Sequence, residues 1–301
     1  MSKERIQKAL ARQGLGSRRQ IESWIKDGLI SLNGNQAEIG QQVEAGDVVM
    51  YSGRKIIIRN DEQTLPRVLM YHKPEGEVCS RSDPEGRPTI FENLPGLKHS
   101  RWVAVGRLDI NTSGLILLTD SGDLANKLMH PSSQLQREYA VRVMGKATAE
   151  QLKKLTHGVK LEDGMARFED IMERQPEDVV AGKSVGFNRW YHVVLMEGRN
   201  REVRRMWEAV DLKVSRLMRV RYGSVMMSKS LRPGKFKELE PEEIRELGEL
   251  SGIEYDKNLK SGKPVNKNFR MTKHSPAGKR GGRQKSSSSS GRRKVSHDKR
   301  R

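Results

Sequence analysis

The run Leu115-Ile116-Leu117-Leu118, inside GRLDINTSGLILLTD at residues 106–120, constrains the fold more than any other stretch. It reads as a buried strand, so the chain must build a sheet that covers it. At its head stands Asp109, followed by a polar Asn-Thr-Ser-Gly turn. An Asp in that position commonly hydrogen-bonds nearby backbone amides. A carboxylate beside a buried run also calls for a cationic partner. Arg107, two residues earlier, shares its face if the strand extends that far.

Around this run the chain mixes strands and helices without the regular alternation of a parallel sheet. RVLMYHK, RWVAVG, GLILLTD, REYAVRV, RWYHVVLM and VSRLMRVRYG are the strand candidates. Helices are predicted at SGDLANKLMH, capped by Ser121, at TAEQLKKLTHG, between Thr148 and Gly158, and at NREVRRMWEAV. Residues 67–247 should therefore form an α+β domain. DEQTLP, residues 61–66, reads as a linker to what precedes it.

Residues 1–60 carry their own turn signals. Ile6, Ala9, Leu10 and Gln13 fall at helical spacing before Gly14, Ser17 caps a second helix that Gly28 ends, and Asn33-Gly34 marks a hairpin. Arg12, Arg18, Arg19 and Lys26 lie along the two helices, as a solvated face or as an RNA contact. At the other end, residues 248–301 are predicted to be a basic tail, disordered over its low-complexity stretch GKRGGRQKSSSSSGRRKVSHDKRR. Residues 256–301 hold 16 Lys and Arg against Asp256 and Asp298, a net +14, so of the chain's +19 only 19 − 14 = +5 belongs to the rest. A polyanion is the expected partner.

Cys79 is the single cysteine, which excludes an internal disulfide and a cysteine-built zinc cage. The seven histidines lack ligand spacing. No apolar run approaches the roughly 18 residues of a membrane span, and MSKERIQKAL is too polar for a signal peptide. A cytoplasmic protein is expected, with no membrane association and no metal.

The cation for Asp109 must come from elsewhere. EGRNREVRRMWEAV, residues 197–210, has four arginines within seven residues. As a helix it would bury Val203, Trp207 and Val210 on one face and set Arg201, Arg204 and Arg205 on an adjoining one. A guanidinium there can turn into a cleft and pair with a carboxylate. In QREYAVRV, alternation puts Tyr139, Val141 and Val143 on one face, where a tyrosine is ordinarily a core residue.

Taken together, GRLDINTSGLILLTDSGDLANKLMHPSS, then QREYAVRV, then EGRNREVRRMWEAVDLKVSRLMRVRYG resemble the ribosomal small-subunit-A type family of RNA pseudouridine synthases. Helix, SRR, helix and GLISLNG near the N-terminus resemble the alpha-L RNA-binding module named after ribosomal protein S-four. YHKPEGEVCSRSDPEGRPTIFENLP is most similar to family members that modify large-subunit RNA. The resemblance spans most of residues 1–245. It implies a mixed, mainly antiparallel catalytic sheet behind a small RNA-binding domain, and a monomer, without cofactor, that isomerises one uridine of large-subunit (23S) ribosomal RNA or of an assembly precursor. A sibling specificity and a non-catalytic ribosome-assembly factor are the alternatives. Asp109 would be the essential aspartate, acting as nucleophile or base, Tyr139 the tyrosine stacked on the target base, and Arg204 the cation ion-paired with Asp109. Arg107, Arg201 and Arg205, with the four cations of the N-terminal helices, would contact RNA.

Overall fold

In the computed structural model the described residues are 3–59, 64–174 and 187–261. The N-terminal module forms where its turn signals place it. Helices α1 (Ile6–Arg12) and α2 (Arg18–Lys26) pack Ile6, Ala9 and Leu10 against Ile21 and Ile25. The Ser17 hydroxyl accepts from Gln20 N at 3.1 Å, filling one of the amide positions that a helix start leaves open. Strands β1 (Ile30–Leu32) and β2 (Asn35–Gln36) meet at Asn33-Gly34, whose φ values of 50° and 89° give the turn that suits a twisted hairpin. A second hairpin, β3 (Val48–Tyr51) with β4 (Arg54–Ile57), completes the order β2-β1-β3-β4.

The larger part is a sheet flanked by helices. In chain order it comprises β5 (Val68–Lys73), β6 (Val103–Val105), β7 (Ser113–Thr119), α3 (Gly122–Met129), β8 (Arg137–Val143), α4 (Ala149–His157), β9 (Asp170–Arg174), β10 (Arg189–Leu195), α5 (Glu202–Glu208), β11 (Val214–Tyr222), β12 (Phe236–Glu238) and α6 (Pro241–Leu250). Strand order is β9-β10-β8-β11-β7-β5-β12, with β6 also on β7. Every pairing here is antiparallel except β7 with β11, which is parallel over Ser113↔Met218 and Gly114↔Arg219. The sheet is thus mixed and mainly antiparallel, as expected. Gly114 is where the two parallel strands come closest: its φ is +106°, and a Cβ there would lie 2.2 Å from the Arg219 carbonyl oxygen. Only glycine fits.

Each face of the sheet buries its own set of side chains. On one, Tyr71, Ile116, Leu118, Tyr139, Val141, Tyr191, Val193 and Leu217 pack with Val203, Met206 and Trp207 of α5 and Leu155 of α4. On the other, Val68, Met70, Leu115, Leu117 and Tyr222 meet Leu124 and Leu128 of α3 and Ile244 and Leu247 of α6. The run 115–118 alternates between the two clusters, which is why all four residues could be large and apolar.

Three boundaries shift from the sequence reading. Leu65, inside the expected linker, is buried, and Thr64–Leu65 pairs in parallel with Lys260–Ser261. Ile253, Tyr255 and Leu259 pack on the second cluster, so ordered chain continues beyond 247 into the expected tail. Residues 262–301, with the low-complexity stretch, lie outside the described residues. The helix expected from Asn200 starts only at Glu202, because Arg201 is left-handed at φ 49° and Arg199 N donates instead to the Glu202 carboxylate at 2.9 Å.

Candidate active site

Asp109 lies in a turn between β6 and β7. Thr112 N donates to Asp109 O at 3.0 Å and Gly76 N to Ile110 O at 2.8 Å, closing residues 109–112 into a bend. The strand read in RWVAVG stops at Val105, with Gly106 at φ +80°, so it does not extend through Arg107 and Asp109. The two residues therefore share no strand face: Arg107 is exposed and Asp109 half-buried.

Two buried cations hold this turn from beneath. Lys73, at the end of β5, is fully buried and its Nζ donates to Pro74 O at 3.0 Å, Thr112 O at 2.9 Å and Ile110 O at 3.4 Å. Arg204, on α5, is 9% exposed; its Nη2 donates to Asn111 O at 2.8 Å and its Nη1 to Val214 O at 3.2 Å. The carbonyls of Ile110, Asn111 and Thr112 thus each receive a cationic donor. Ile110 O also accepts from Gly76 N, whereas an interior carbonyl left with no donor would cost roughly 1–3 kcal/mol.

The direct ion pair expected between Arg204 and Asp109 is not formed. The guanidinium is occupied by the two carbonyls, Asn111 O and Val214 O. Asp109 acts on both cations through space. Burial pulls the Lys73 ammonium down from its ordinary range, against the field of Cys79, Glu77 and Asp109. Burial and then Arg201 pull Arg204 down, and Asp109 opposes them. The turn therefore sets a half-buried carboxylate within the field of two desolvated cations.

Tyr139 reaches the same region by register. Gly114 pairs with Arg219, Arg219 with Tyr139, and Tyr139 with Val193, so one row crosses from the strand that follows Asp109 to β8. Tyr139 is 8% exposed and belongs to the cluster that includes Leu108. Next to it, Arg219 is 2% exposed, donates from Nε to Leu115 O at 2.8 Å and places its Cζ 5.1 Å from the Tyr222 ring. Lys73 and Arg219 escaped the sequence reading. The signal for Lys73 was a lysine closing an otherwise buried run, VLMYHK. For Arg219 it was the inward phase that it shares with Leu217.

Of the cations assigned to RNA, two are engaged within the protein. Arg12 ion-pairs with Glu4 and donates to Arg59 O, and Arg205 makes a two-pronged pair with Asp163 at 2.9 Å on both arms. Arg18 approaches Asp123 of α3 at 3.9 Å, where Lys8 pairs at 2.8 Å, so these residues join the module to the sheet domain. Arg19, Lys26, Arg107 and Arg201 are exposed. A cavity of about 610 Å³ between the module and the sheet, lined by Lys8, Arg12, Asp120, Asp123 and Tyr255 among others, includes none of Asp109, Tyr139 and Arg204.

Residues 67–209 match the RNA pseudouridylate synthase family and residues 4–49 match the S4 domain. The chain is 52% identical over 250 residues to ribosomal large subunit pseudouridine synthase B of Pseudomonas aeruginosa, across 83% of this chain and 63% of that protein. It therefore spans less than two thirds of that relative's length. It is 50% identical over 272 residues to the Yersinia pestis protein of the same name, across 90% of this chain and 82% of that one. A solved structure described as a pseudouridylate synthase shares the fold, with a TM-score of 0.55 and 24% identity over 81% of this chain and 99% of the other.

Proposed function

Because the chain belongs to the RNA pseudouridylate synthase family, we propose that it isomerises one uridine of large-subunit (23S) ribosomal RNA, or of an assembly precursor, to pseudouridine, as a cytoplasmic monomer without cofactor. The names of its half-identical relatives support the target. The observation that carries the chemistry is the placement of Asp109: a half-buried carboxylate on a turn whose carbonyls are held by Lys73 and Arg204, beside the row of Tyr139.

The reaction breaks the bond from uracil N1 to ribose C1′ and forms one from uracil C5 to the same carbon. The C5 proton leaves to solvent and N1 ends protonated, so atoms and electrons balance without a redox partner. Asp109 serves either as nucleophile or as base toward the sugar. Lys73 and Arg204 fix its position by holding the carbonyls of its turn. The target base must leave its stack at a cost of a few kcal/mol, and the Tyr139 ring returns about 1–3 kcal/mol of this by stacking. Arg107, exposed beside Asp109, meets a phosphate or fills the vacated stack. Arg18, Arg19 and Lys26 offer phosphate contacts on the N-terminal module, and Arg201 does so beside α5.

Tritium release from RNA labelled at uridine C5 tests the reading. Asp109→Asn should abolish release while RNA binding survives, since it removes the charge and little volume; residual turnover within about tenfold of wild type would sink the assignment. Mapping pseudouridines by primer extension in a deletion strain identifies the target, and a lost small-subunit site would replace the large-subunit one.

A further inference from the structure

Over β9, β10, β8 and the first half of β11, the sheet face opposite Tyr139 carries a different kind of surface. Register sets Arg142 opposite Trp190 on one side and Arg216 on the other. The next row places Ala140 between His192 and Met218, with Met172, 58% exposed, beyond His192. Strand alternation keeps these residues off the face that holds Tyr139, Val141 and Leu217. Strands lie about 4.8 Å apart, so the Trp190 indole and the Arg142 and Arg216 guanidiniums span about 10 Å of a row that Arg174 continues on β9.

Arg216 is exposed, and Arg142 and Trp190 are half-buried. Neither arginine side chain pairs with a carboxylate among the described residues, and the indole has no ring partner there. The nearby acid, Glu138, is already satisfied: His192 Nδ1 lies 2.7 Å and Arg221 Nε 2.9 Å from its two oxygens. The patch is therefore positive around a flat aromatic surface.

We propose that this row is a second RNA contact, in which an unpaired base stacks on Trp190 while Arg142 and Arg216 hold the flanking phosphates of a single-stranded segment. A phosphate backbone supplies the anions that two free guanidiniums require, and an aromatic face takes any base. A protein partner would have to bury both charges and pair them. Position supports the same occupant. Arg204 ties Asn111, in the Asp109 turn, to Val214, two residues before Arg216, so the row sits at the same end of the sheet as Asp109 but on its reverse side. RNA leaving the Asp109 cleft around that end reaches Trp190.

The proposal rests on RNA being the substrate, so its test reads affinity and salt dependence rather than turnover. The probes are a single-stranded oligouridylate and a protein-free 23S transcript, each titrated at several salt concentrations. R142Q/R216Q should weaken oligouridylate binding about tenfold and flatten the log-log salt slope by about 1.4, the value for two single-strand phosphate contacts. W190A should weaken binding about tenfold with the slope kept, and W190F should restore most of it. Thermal melting confirms that each variant is folded. Wild-type affinity and slope in folded R142Q/R216Q and W190A would overturn the proposal. So would a wild-type dimer in sedimentation that W190A dissolves without change in RNA affinity, which would make this face an interface between two copies. A wild type that binds neither probe and releases no tritium would instead overturn the enzymatic reading itself.

Discussion

Two groups of cations on the same sheet have opposite fates. Lys73, Arg204 and Arg219 are buried, and backbone carbonyls accept from all three. Arg142 and Arg216 stand on the reverse face without an anionic partner among the described residues, and Arg107 is exposed beside Asp109. The buried group acts on geometry, because backbone carbonyls accept from its donors, and two of its members, Lys73 and Arg204, share a field with Asp109. The exposed group acts on affinity, since a solvated guanidinium adds little to stability and much to phosphate binding. A cluster of arginines in a sequence thus has no single meaning. Each one takes its role from whether unpaired carbonyls or water surround it.

The sharpest way to break this contrast is to disturb the strand packing beside the buried group. Gly114→Ala drives a Cβ into the Arg219 carbonyl at 2.2 Å and forces alanine to φ +106°. Urea denaturation should show a loss of about 3 kcal/mol or more. A near-neutral result would mean that the β7–β11 approach relaxes freely.

Removing one buried cation comes next. Arg204→Met leaves Asn111 O and Val214 O without their donor, about 1–3 kcal/mol for each, and should cost turnover about a hundredfold while Arg204→Lys retains more of both. Equal activity of the two variants would show that Arg204 does not support Asp109. R142Q/R216Q as destabilising as Arg204→Met would erase the distinction between the two groups.

A pH dependence should follow from the foot of α5. Burial, then Glu197, push the Glu202 carboxyl up to about 7. Between the ordinary value of 4.5 and about 7 the folded chain keeps a proton that the unfolded chain has lost. This group's contribution to stability therefore falls as pH rises through that window and is flat above it. The total drop should be on the order of 2 kcal/mol, read from urea midpoints at pH 5 and 8, and Glu202→Gln should remove it. A slope that survives the substitution would assign it to another group.

The smallest effect on stability belongs to the chain's most basic end. Truncation after residue 261 should leave stability within about 0.5 kcal/mol. It should flatten the salt dependence of RNA binding by about 0.7 to 0.9 for each phosphate that the tail neutralises, with the modified uridine unchanged. An unchanged slope would mean that the tail does not touch RNA.

The sequence alone determined what depends on neighbouring residues. Ser17, Ser121 and Thr148 cap their helices, Asn33-Gly34 turns its hairpin, and the six strand candidates form, because caps and turns close within a few residues and burial follows period. β3, β4, β9, β12 and α6 went unread: the strands are too short for a clear period, and α6, PEEIRELGEL, is dominated by charged residues. The turn that carries Asp109 and the inward arginine helix could be foreseen as separate parts. Their connection could not. Arg204 and Arg205 are adjacent and identical in type, yet one is drawn inside by a carbonyl 93 residues away and the other pairs with Asp163 at the surface. Lys73 and Arg219 are buried for the same reason, and Arg142 and Trp190 meet only through strand register. Which cation enters the interior depends on which carbonyls long-range pairing leaves open, and that is settled only when the strands have met.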